Sequence, residues 1–265
     1  MAKYKKKRAR ELKHDRFRDT TMSLLDRTAD RLEGKGRTIL YALGGVVLAG
    51  ILILLFMRWS GRKSDEARAA LGRAIDIATA TVSSSTTPDP TAGTVFASEE
   101  QRAQRAIEEF QKVADKYGDP YKAEARYFIA TNKLVLDRSK GISDLNELSN
   151  SGVPEVAALA KFALAQTKES DGKLDEAAQL FASLASANNP AVTAETANLK
   201  LAKVYEKQGK KKEAADVLFN LVDASRKAKG PDNLPLPPSA AAREAATALQ
   251  SLDPDRFAKL PPEAS

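Results

Sequence analysis

The side chains that usually carry enzymatic chemistry are scarce in this 265-residue chain. It has no cysteine and one histidine, His14. Without thiols there is no disulfide, no thiolate metal site and no cysteine nucleophile. A lone imidazole argues against a histidine-rich metal centre and against a Ser-His-Asp triad. Gly34-Lys35 is the nearest approach to a phosphate-binding loop. That motif needs a glycine where Ala29 stands, and Ser or Thr where Gly36 stands. Carboxylates are plentiful, so paired acids are the one catalytic device left. They come as neighbours, Glu108-Glu109 and Asp175-Glu176, in stretches that read as solvated helix faces. No catalytic residue, cofactor or metal site is expected.

Binding is therefore the chemistry to look for, and charge narrows it. The net charge is +7. Residues 1–37 hold 13 Lys/Arg and 6 Asp/Glu, which accounts for the whole excess; the remainder holds 29 of each sign. A body without net charge is a poor nucleic-acid binder. The tail carries Lys5-Lys6-Lys7-Arg8. It then has a narrow apolar stripe at helical spacing: Phe17, Thr21, Leu24, Leu25, Thr28 and Leu32. A partly amphipathic helix of this kind suits an anionic lipid surface.

Thr38 to Met57 is free of charge for 20 residues. At about 1.5 Å per residue it reaches roughly 30 Å, the thickness of a bilayer core. Tyr41 and Trp59 stand near its ends, where interfacial aromatics belong. The expectation is a transmembrane helix over 38–59. The run is too long for a signal peptide, and Arg58-Trp59 occupies the place of small cleavage-site residues. Only 5 basic residues follow in the next 20, so residues 1–37 are expected to stay cytoplasmic and the C-terminal body to be exported.

The body is rich in helix formers, with almost no strand signal. Helices are expected in pairs: 64–82 with 98–117, 121–138 with 142–150, 155–170 with 174–187, and 191–208 with 211–228. A polar Ser/Thr/Pro loop fills 83–94. A Pro-rich break at 230–238 precedes a capping helix at 239–252, and 253–265 reads as a disordered tail. The pairs are related by repeats. Gly172 to Phe181 (GKLDEAAQLF) aligns with Gly209 to Leu218 (GKKKEAADVL), 37 residues on. Gly141 to Leu148 (GISDLNEL) is a third copy, and Ala106 to Phe110 (AIEEF) a fourth without the glycine. In this reading the glycine ends one helix in a left-handed turn. The Ala lets the paired helix approach, and the large residue four later fills the groove.

The pattern resembles the tetratricopeptide repeat family over about residues 100–228. Ala177 and Ala214 fall on its small position, Phe181 and Leu218 on its large one, Tyr205 on its first-helix aromatic, and Gly172 and Gly209 on its turn. The early tryptophan of that family is missing from every copy, since Trp59 is the only one here. Together with the uncharged run, the resemblance gives an expected all-α architecture, one transmembrane helix followed by a tetratricopeptide-like α-solenoid over 64–228.

The whole layout is also similar to the ancillary-subunit family of the bacterial Sec translocon. The residues that carry the likeness are Arg58-Trp59, Tyr127 and Phe128, and the Gly-Glu-Ala turns. That resemblance implies a single-pass protein of the bacterial inner membrane with a periplasmic domain. It further implies a protein-binding scaffold whose partners are the translocon, chaperones or exported chains. A scaffold for another envelope-assembly process, and a membrane or ribosome tether through the basic tail, are the alternatives. By the family's register, the first helix of each pair lines a peptide groove, which places Phe128, Thr131, Phe162, Gln166, Lys203 and Glu206 there.

Overall fold

The computed structural model describes residues 63–83, 94–187 and 189–262. The basic tail (1–37), the expected transmembrane helix (38–59), most of the Ser/Thr/Pro loop and residues 263–265 lie outside them. Among the described residues, no helix is long and apolar enough to cross a membrane.

The described chain is a run of helical hairpins. Helix α1 covers 63–78. It is followed by α2 (Glu99–Lys116), α3 (Tyr121–Leu136), α4 (Arg138–Leu148), α5 (Pro154–Ser170), α6 (Leu174–Ser186), α7 (Ala194–Lys207), α8 (Lys211–Lys227), α9 (Ala240–Leu252) and the short α10 (Pro254–Phe257). Each helix packs on the next, and α3 also meets α5, as α7 meets α9. The helix starts follow capping chemistry. Ser98, Asp137, Thr193 and Ser239 each accept a hydrogen bond from a backbone N–H in the first turn of α2, α4, α7 and α9.

The two clearest repeats have the same turn. Gly172 and Gly209 both hold positive φ, 73° and 75°. Lys173 N–H donates to the Lys168 carbonyl, and Lys210 N–H to the Tyr205 carbonyl, each at 2.9 Å. Gly172 and Gly209 N–H donate to Glu169 and Glu206. This is the Schellman closure with glycine at the left-handed position. Lys173 and Lys210 then open the next helix with nearly equal angles, φ −80° ψ 62° and φ −81° ψ 63°.

The third copy departs from this. Gly141 lies inside α4, whose start is set by Asp137, and it does not end a helix. It occupies the small position of its hairpin. In the second helix of each pair a small residue is followed four later by a large one and seven later by another: Ala106/Phe110/Val113, Gly141/Leu145/Leu148, Ala177/Phe181/Leu184 and Ala214/Leu218/Leu221. All twelve are buried. The small positions step by 35, 36 and 37 residues. The first helices repeat too: Ala125/Ile129/Ala130, Ala160/Leu164/Ala165 and Ala197/Leu201/Ala202 are buried.

The core is correspondingly a chain of overlapping clusters. One joins α1, α2 and α3, the next α3, α4 and α5, then α5, α6 and α7, then α7, α8 and α9. Each inner first helix serves two clusters; α3, for example, turns Ala125 and Ile129 one way and Ala123 and Ala130 the other. Burying a Phe or Leu side chain in such a cluster contributes about 1.5–3 kcal/mol.

Two expectations need correction. The residues after 252 do not form a loose tail as far as 262. Asp253 caps α10, Leu260 is buried in the cluster of α7, α8 and α9, and Arg226 donates to the Pro261 carbonyl. Apolar residues at Phe257 and Leu260 give this stretch a face to bury. The all-α reading also missed a short parallel ladder, β1 (Thr81–Val82) with β2 (Val95–Phe96). Two-residue strands carry too little alternation to be seen in a sequence.

The two glycine roles separate by mutation. A Cβ at Gly141 would lie 2.7 Å from the Leu134 backbone nitrogen and from its Cδ2, whereas one at Gly172 meets nothing within 4 Å. Gly141→Ala should cost roughly 1–3 kcal/mol, despite the gain of about 1 kcal/mol in helix propensity. Gly172→Ala should cost about 1–2 kcal/mol, from its left-handed φ alone. Urea titration followed by circular dichroism measures both. A stabilised Gly141→Ala would show that the helices do not need this close approach.

Candidate protein-interaction trough

On α3, Lys122, Arg126, Ile129 and Lys133 recur at spacings of four, three and four, so they share one helical face. The face is the floor of a trough. One wall is α2, with Gln111, Ala114 and Asp115; the other is α4, with Asp144, Glu147 and Leu148. Two adjoining hollows of about 450 and 550 Å³ share Lys122, Arg126 and Leu148, and the second extends over Asp119 and Asn150 to Gly152.

The charges inside are mostly matched. Arg126 Nη2 lies 2.8 Å from Glu147 Oε1, and Lys133 Nζ lies 2.6 Å from Asp144 Oδ2. Gln111 Nε2 donates to Asp115 Oδ1 at 2.8 Å. These pairs are a third exposed or more, so each adds under about 1 kcal/mol to stability. Lys122 is exposed and has no ion pair among the described residues. The trough offers ammonium, guanidinium, amide and carboxylate groups in a row, with Ile129 and Leu148 beneath. That set can hydrogen-bond an extended polypeptide and bury a small apolar side chain. It holds no nucleophile–base pair. Among the described residues, no group of three or more His, Cys, Asp or Glu could hold a metal ion.

The six residues expected in a groove lie elsewhere. Phe128 and Thr131 are on α3 but point away from the trough floor, by the same helical spacing. Phe128 stacks on Phe110 with ring centroids 4.8 Å apart and planes 9° apart, and meets Tyr127 edge-on at 5.4 Å. Thr131 Oγ1 donates to the Phe128 carbonyl at 3.0 Å. Phe162, on α5, meets Phe181 edge-on at 5.6 Å. The two phenylalanines therefore sit in separate packing clusters. Gln166 on α5 and Glu206 on α7 are exposed. Lys203 on α7 is half-buried and forms an ion pair with Glu244 of α9. A parallel tie, Lys207 to Glu169, joins α7 to α5. The first-helix side of the stack is thus bridged by ion pairs between successive hairpins. In the sequence the trough residues read as an ordinary solvated face, because both signs of charge occur along α2, α3 and α4. The signal that could have found it is the i, i+4, i+7, i+11 spacing of three cations around Ile129.

Neither the protein-family models nor the curated proteins include a match to this chain. A solved structure that it resembles is a kinesin-light-chain-like protein of Podospora anserina with nearly identical TPR-like repeats. Identity is 15%, the TM-score is 0.44, and 60% of this chain and 82% of that chain are covered. A likeness of that size carries no weight for fold or function. The tetratricopeptide-like description rests on the repeated turns and repeated burial within this chain.

The Lys203–Glu244 tie makes docking of α9 sensitive to acid. The Lys203 ammonium, bonded to it, holds the Glu244 carboxyl below its ordinary value of 4.5, with a smaller contribution from Lys200. A carboxyl lowered in the folded state stabilises that state above its unfolded pKa, and the contribution disappears as pH falls through the folded value. The melting temperature of the native chain should therefore fall below about pH 4.5, and Glu244→Gln should remove part of that pH dependence while changing the melting temperature little at pH 3. An unchanged pH profile in Glu244→Gln would show the tie to be energetically idle.

Proposed function

We propose that this chain is a membrane-tethered protein-binding scaffold whose hairpin stack engages extended polypeptide. The observation that carries the reading is the stack itself. Rigid paired helices, with the same small and large residues buried in each copy, hold open a continuous trough lined by both signs of charge. A solenoid of this kind offers long surfaces for protein partners. The uncharged run from Thr38 to Met57, with its excess of Lys/Arg before it, supports a single span with the stack outside the cytoplasm. On that reading the protein belongs to the bacterial inner membrane, with its basic tail against anionic lipid. Its partners are the Sec translocon, periplasmic chaperones or exported chains. Gln166 and Glu206, exposed on the first-helix side, offer a second contact face, with Thr131 and Lys203 beside them.

Two measurements test this. Tags at the two ends, with protease added to spheroplasts, should show the C-terminal tag cleaved and the N-terminal tag protected. A protected C-terminal tag overturns the export of the stack. A photo-crosslinking residue placed at Lys122, and another at Gln166, should trap translocon or chaperone components in intact cells. Lys122→Glu should lower the yield of crosslinks placed elsewhere in the trough several-fold. Trapping of cytosolic proteins alone would overturn the scaffold reading.

A further inference from the structure

The space between α8, α9 and the proline-rich segment that joins them differs chemically from the trough. It is a cleft of about 340 Å³, lined by apolar atoms of Val222, Leu236, Pro238, Ala246 and Phe257. That is within the size range of small-molecule sites. Leu234 and Leu236, on the joining segment, are exposed by 62% and 49%.

The charged groups in the cleft are of one sign, beside the neutral Ser225, Thr247 and Gln250. Two guanidiniums line it, Arg226 and Arg243, and no carboxylate does. Arg226 donates to the Pro261 carbonyl and lies 5.5 Å from the centre of the Phe257 ring. Arg243 donates to the Pro238 carbonyl at 2.6 Å. Neither forms an ion pair among the described residues. A third group points the same way. Ser225 is 7% exposed, and it lines the cleft. Its hydroxyl makes no hydrogen bond among the described residues. Other helical hydroxyls here, those of Thr167, Ser186 and Thr247, each bond the carbonyl four residues back. An unbonded hydroxyl and two guanidiniums, with no carboxylate among the residues that line the cleft, make it complementary to an anion.

We propose that this cleft binds a medium-chain carboxylate. The head is taken by Arg226, Arg243 and the Ser225 hydroxyl, and the tail lies against Val222, Leu236, Ala246 and Phe257. The site is separate from the trough and does not depend on the scaffold reading.

The test is photolabelling of the purified full chain with a diazirine-bearing decanoate, with adducts mapped by mass spectrometry. Mapping distinguishes this cleft from any amphiphile bound to the uncharged run near the N-terminus. Adducts are expected on residues 222–257, competed by decanoate and spared by decanol. Arg243→Gln, at an exposed position, should lower them about tenfold, the scale of one charge-assisted hydrogen bond. Ala246→Leu, which fills the cleft, should lower them too, with circular dichroism showing that both variants fold. Adducts that map only outside 222–257, that persist in Arg243→Gln, or that decanol competes equally well, overturn the proposal.

Discussion

One position in the second helix of each hairpin has room for a methyl group or less. Ala106, Gly141, Ala177 and Ala214 occupy it, and the pair of helices closes there. The large side chain one turn later, Phe110, Leu145, Phe181 or Leu218, can then reach the cluster shared with the following hairpin. Close packing makes such a site intolerant of one extra carbon. The stack depends on this contact being made again in each successive hairpin, because a single hairpin buries only part of its apolar surface. Each inner first helix is consequently gripped from two sides, which fixes the angle between neighbouring pairs and keeps the trough over α3 open.

Much of this was readable in the residues. The glycine turns at 172 and 209, the helix pairs and the capping position of 239–252 follow from local chemistry: a left-handed residue, a side-chain cap, a period near 3.6. The third copy is out of register with the other two. Gly141 matches the turn glycines by identity alone. Its true equivalents are alanines, because glycine serves both for positive φ and for close approach. Only the neighbouring Leu134 backbone distinguishes the two uses. The aromatic residues misled in a related way. Phe128 and Phe162 are half-buried, one stacked on Phe110 of the preceding hairpin and the other edge-on to Phe181 of its own. The trough was not legible because its walls come from faces of α2 and α4 whose orientation toward α3 no single-helix pattern shows.

The stack presents surfaces of different chemistry. The trough is polar and balanced, and it suits a chain with many amide groups. The first-helix side is laced by Glu169–Lys207 and Lys203–Glu244, so its open groups are few and fixed in place. The cleft beside α9 is apolar with unbalanced cations. Separate chemistries on one rigid body allow separate ligands to be held at once, with coupling between them only through the shared clusters.

The terminal segment adds a further consequence. Leu260 closes the last cluster, and the bond from Arg226 to Pro261 fastens the chain over it. A helical-repeat array whose final unit ended bare would display a greasy end, ready to accept the next unit from a sister molecule. Here Leu260 and the stretch around it cover part of that surface, which works against head-to-tail stacking of sister molecules.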